Sequence, residues 1–82
     1  MKTDSSVHPQ RLSEKLKSIR VNLNLSQNEI LERLNFKDKL FRSNISQYER
    51  GERVPGLLVL LAYARIAKIS VEILIDDELD LP

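Results

Sequence analysis

The 82-residue chain has no cysteine, which removes disulfides, thiolate metal sites and cysteine nucleophiles together. That absence suits a reducing compartment. Glycine occurs only at positions 51 and 56, too sparsely for a loop that cradles phosphates. The only histidine, His8, lies beside Pro9 in a polar leader, so no imidazole is placed to activate a serine. No cluster has metal-ligand spacing, and Glu72, Asp76, Asp77, Glu78 and Asp80 are too terminal to form a shielded acid/base pair. Neither an enzyme nor a metal or cofactor site is expected. Long hydrophobic runs are missing too. The longest, Leu57 to Ala64, is far too short to cross a bilayer and is followed by Arg65. The opening MKTDSSVHPQ lacks the apolar stretch of a secretory signal. The expectation is one small soluble, cytoplasmic domain with no membrane partner. A domain of about this size buries only around 60% of its unfolded surface, so the core must be modest.

What is present is charge, unevenly placed. Residues 1–55 carry 11 Lys/Arg against 7 Asp/Glu, while residues 56–82 carry 2 against 5, within a formal net charge of +1. The front is therefore +4 and the back −3. Such a gradient fits one face turned to a polyanion and another kept away from it.

Apolar residues recur at helical spacing through most of the chain. Residues 1–8 read as a flexible leader, 9–75 as the folded domain, and 76–82 (DDELDLP) as an acidic tail expected to fray. Leu12, Leu16, Ile19 and Leu23 predict a first helix over about Gln10 to Leu23, ended by Asn24 in a left-handed conformation. Ser26 and Glu29 fit a capping box, with Leu25 and Ile30 as a hydrophobic staple. A second helix then runs from about Gln27 to Leu34, stopped by Asn35. Phe41, Ile45 and Tyr48 form an inward stripe on a third helix, about Lys39 to Arg50, with Asp38 as its best N-cap and Gly51 as its terminator. LLVLLAYARIA predicts a fourth, nearly all-apolar helix, about Leu57 to Ala67. Ser70 would cap a short fifth. The fold class is all-α, a compact bundle of about five short helices.

A short capped helix, a turn, and a helix with one apolar stripe and a polar outer face make a helix-turn-helix. The major groove admits one helix, and the outer residues Arg42, Ser43, Ser46, Gln47 and Arg50 have the right chemistry for it. Arginine pairs bidentately with guanine and glutamine with adenine.

The segments IRVNLNLSQNEILERL, SNISQYERGERVP and LLVLLAYARIAKISVEIL carry a resemblance to the Cro/phage-repressor family, also called Xre or lambda-repressor-like. It covers roughly three quarters of the chain. It implies a lambda-repressor-like DNA-binding domain acting as a transcriptional regulator on double-stranded DNA. A domain this small places few contacts, so a homodimer is expected, at least on DNA. The resemblance further implies that Arg42, Ser43 and Gln47 face bases, and that Gln27, Asn44, Ser46, Arg50 and Arg53 meet the phosphate backbone. Arg20 and Glu49 match a structural ion pair joining the first and third helices.

Three departures qualify the resemblance. The stretch from Leu34 to Ile45 is about four residues longer than usual, which leaves the start of the third helix and the aim of Arg42 open. Lys68 stands where the fourth helix normally ends in glycine. Leu58, Val59 and Ala62 fall where polar residues are common, and apolar surface there, together with the acidic tail, implies a protein partner: a second copy, a toxin neutralised by an antitoxin, or a co-regulator.

Overall fold

Leu12, Leu16 and Ile19 share one side of α1 (Leu12–Asn22) and are all buried, so the first helix is set by its apolar period. It is shorter than expected. Leu23 caps its end, 40% exposed, and Asn24 turns the chain with a φ of 59°. The computed structural model describes residues 9–82; the expected leader, residues 1–8 with His8, lies outside the described residues.

Local chemistry shapes α2 (Gln27–Leu34) at both ends. The Glu29 amide donates to Ser26 Oγ at 3.0 Å, and the Ser26 amide donates to Glu29 Oε1 at 2.7 Å, closing the capping box. These bonds hold the Glu29 carboxyl below its ordinary pKa. Asn35 ends the helix in the left-handed region, φ 61°.

The longer connection that follows resolves into a 3-10 turn, Lys37–Lys39, and α3 begins only at Arg42, running to Glu49. The expected start at Lys39 and the Asp38 cap are thus corrected: Phe41 occupies the N-cap position. Phe41 is also not part of the inward stripe, being 59% exposed. Leu40 takes that place in the core, 6% exposed. The reason is backbone conformation. Leu40 and Phe41 are both extended, so their side chains point to opposite sides, and only one can be buried. Gly51, with φ 74°, turns the chain out of α3 as expected.

Helix α4 (Leu57–Ala67) buries Leu60, Tyr63 and Ala64 and ends at Lys68, which adopts φ 60° despite its side chain. Helix α5 (Val71–Ile75) follows. Ser70 is at its N-cap position, but its side chain makes no capping bond. Packing joins α1 to α3 and α5, α2 to α3 and α4, and α4 to α5. One core results, from Leu12, Leu16, Ile19, Ile30, Leu34, Leu40, Ile45, Tyr48, Leu60, Tyr63, Ala64 and Leu74. The fold is all-α, with no strand among the described residues.

The acidic end is bonded into the fold. Lys15, only 2% exposed, donates from Nζ to the carbonyls of Ile73 (2.8 Å), Asp76 (3.0 Å) and Leu79 (2.7 Å). Asp77 accepts the backbone amides of Gln10 and Arg11 at 2.9 and 3.0 Å. Arg11 in turn donates to the Asp77 carbonyl and to Asp80. The last residues are therefore tied to the start of α1.

Candidate nucleic-acid interface

The orientation of α3 rests on one carboxylate. Glu49, its side chain 4% exposed, accepts Arg20 Nε at 2.7 Å and Arg20 Nη2 at 3.0 Å in a two-point pair. Arg20 also donates Nη1 to the Leu25 carbonyl at 3.0 Å, and Gln27 Nε2 donates to Glu49 Oε1 at 3.2 Å. α1, the α1–α2 turn, the first residue of α2 and the last of α3 are thus held by one network. Bonding to Glu49 raises the Arg20 pKa, against the opposing effect of burial. Beside the network, Tyr63 is fully buried and its hydroxyl has no hydrogen-bond partner among the described residues. Burial first, then the nearby Glu49 carboxylate, pushes its pKa up.

Ile45 and Tyr48 face the core, so the opposite side of α3 is left outward. Arg42 and Ser43 are exposed on its first turn, while Ser46 and Gln47 are half-buried further along. Asn44, expected at the backbone of a ligand, has an internal duty. Its Oδ1 accepts the Phe41 amide at 2.9 Å, the reach-back half of a capping box, and its Nδ2 donates to Gln47 Oε1 at 3.4 Å. The Gln47 carboxamide is thereby oriented by its neighbour.

Seven arginines divide into two groups. Arg11, Arg20 and Arg50 are each paired with a carboxylate, whereas Arg33, Arg42, Arg53 and Arg65 make no ion pair among the described residues. Arg42 opens α3 and Arg53 follows it, so two unpaired guanidinium groups flank the helix. Arg50 is held by Glu52 through two bonds of 2.9 Å and also donates to Ser46. The pair is exposed and therefore weak in water, so a phosphate can displace it.

Of the apolar positions expected to face a partner, Leu58 is 65% exposed, but Val59 and Ala62 are half-buried against the core. Leu57, at 73%, is the more open residue and went unnoticed in the sequence. Among the described residues no group of three or more His, Cys, Asp or Glu could hold a metal ion. Nor is any helix among the described residues long and apolar enough to cross a membrane.

The family model described as a helix-turn-helix domain matches residues 13–78. The chain belongs to this family. Its likeness is to the Cro/phage-repressor members, and two solved structures share the fold. One chain of the SinR protein/SinI protein complex superposes with a TM-score of 0.70 at 22% identity, over 82% of this chain and 62% of that one. The restriction-modification controller protein C.AhdI from Aeromonas hydrophila superposes with a TM-score of 0.57 at 31% identity, over 76% of this chain and 88% of that one. The first carries the fold alone; the second supports the family as well. This chain spans less than two thirds of the SinR/SinI chain it matches. No curated protein matches it.

Proposed function

We propose that the chain is a sequence-specific double-stranded DNA-binding transcriptional regulator that places α3 in the major groove and binds a two-fold site as a dimer. The observation that carries this reading is the outer face of α3: Arg42 and Ser43 exposed, Gln47 half-buried beside them, with unpaired guanidinium groups at both ends and the helix braced from behind by Glu49, Arg20 and Gln27. Arg42 is a donor for guanine and Gln47 a partner for adenine. Arg53, Arg50 and the outer hydroxyl of Ser46 are placed for phosphates; Gln27, at the first turn of α2, sits where helix amides and dipole also favour an anion. The controller protein among its relatives supports regulation as the role.

The test is selection of bound duplexes from a random pool, followed by a salt titration on the winner. Affinity should fall steeply as salt rises, and Arg53→Ala should reduce the log–log slope by about 0.9, the value of one phosphate contact. An affinity indifferent to salt would refute the reading.

A second reading, an antitoxin or adaptor that works through a protein partner, is favoured by the exposed Leu57 and Leu58. The acidic tail, first offered as part of such a surface, supports it less, because Asp77 and Asp80 are already engaged within the chain. A one-to-one heteromer that never retains duplex would favour this second reading.

A further inference from the structure

We propose that Phe41 is a base-reading residue whose ring packs against the C5-methyl group of a thymine in the major groove. The inference rests on the DNA-binding reading above and assigns it a contact beyond the polar side chains of α3. Phe41 stands at the N-cap of the recognition helix with φ −128° and ψ 165°. Two structural roles are open to a residue there, and the Phe41 side chain fills neither. Leu40, extended with φ −142° and ψ 138°, turns inward and occupies the core. Extended backbone then sends the next side chain the opposite way, which leaves Phe41 59% exposed. Capping is the other role, for which serine, threonine, asparagine or aspartate is preferred. Phenylalanine has no side-chain acceptor and so caps nothing; the Phe41 amide instead donates to Asn44 Oδ1.

An aromatic ring is thus held outward immediately before Arg42 and Ser43, also exposed. The N-terminal residues of a recognition helix are those that reach base edges. Around the ring the chain is polar: Lys37, Asp38 and Lys39 precede it, Arg42, Ser43 and Asn44 follow. The major groove offers an apolar side chain one counterpart, the thymine methyl group, which uracil and cytosine lack. The extra residues between α2 and α3 are what bring this about, since the 3-10 turn Lys37–Lys39 delivers Leu40 to the core and Phe41 to the helix tip.

The experiment replaces each thymine of the selected duplex, one at a time, by deoxyuridine. Wild-type protein should lose about fourfold in affinity at one thymine per half-site, the worth of one buried methyl-sized group. Phe41→Ala should bind the thymine and deoxyuridine duplexes equally at that position, and should keep its preference at the bases opposite Arg42 and Gln47. Its melting temperature should match wild type, because the residue is neither core nor cap. A wild-type protein indifferent to every thymine replacement overturns the inference while leaving the DNA-binding reading intact. So does a Phe41→Ala protein that still distinguishes the two duplexes. Failure to select any duplex would instead sink the DNA-binding reading, and this inference with it.

Discussion

At the scale of single residues, Glu49 connects fold to function. It accepts two bonds from Arg20 and one from Gln27, in a place where its side chain is 4% exposed. Replacing a buried ion pair by apolar residues is often harmless, whereas removing one partner leaves the other uncompensated. Glu49→Ala is expected to cost about 3 kcal/mol, the low end for a broken buried pair because Arg20 is 15% exposed and can turn toward water. Denaturant unfolding measures this directly. Glu49→Gln, which keeps an acceptor for one Arg20 donor, should cost less. A Glu49→Ala protein of native stability but altered base preference would mean that the residue reads DNA and does not merely support α3.

At the scale of elements, α1 is started by the other end of the chain. Asp77 accepts the amides of Gln10 and Arg11, just ahead of Leu12, and so anchors the residues by which the chain enters α1. Those two bonds, together with nearby Lys15 and Arg11, hold the Asp77 carboxyl below its ordinary pKa. A carboxylate with a lowered native value stabilises the fold above its unfolded value, about 3.9, and this contribution disappears as pH falls through the native one. Asp77→Ala should therefore lower the melting temperature at neutral pH, and wild type should converge on the variant as pH drops below about 4. Equal separation of the two melting temperatures across that range would exclude the carboxylate as the cause. Here sequence reading fell short for a physical reason. The capping box at Ser26, the left-handed Asn24, Asn35 and Gly51, and the limits of α2 and α4 were legible because each depends on residues within one turn. The tie between Asp77 and α1 joins positions 66 and 67 apart, which no local pattern encodes. Phe41 was misplaced for a related reason: Leu40 and Phe41 are both apolar, and only the extended backbone decides which one turns inward.

At the scale of the whole molecule, size limits how two copies meet. Half-sites read from one face of the duplex are about 34 Å apart, and the described residues span 39 × 26 × 19 Å. The described parts of two neighbours on one face meet most readily when the longest dimension lies along the DNA. The exposed apolar residues available for contact at the start of α4, chiefly Leu57 and Leu58, are few compared with the roughly 1,000 Å² that a stable interface needs. Copies should consequently remain monomeric in sedimentation at micromolar concentration and associate only on a two-fold site, where the duplex itself raises their effective concentration. Leu58→Glu should then remove cooperative binding to the full site while leaving affinity for an isolated half-site unchanged, and inserting about half a helical turn between half-sites should have the same effect on wild type. A stable dimer without DNA, or cooperativity that survives both changes, would place the contact elsewhere on the surface, away from the first turn of α4.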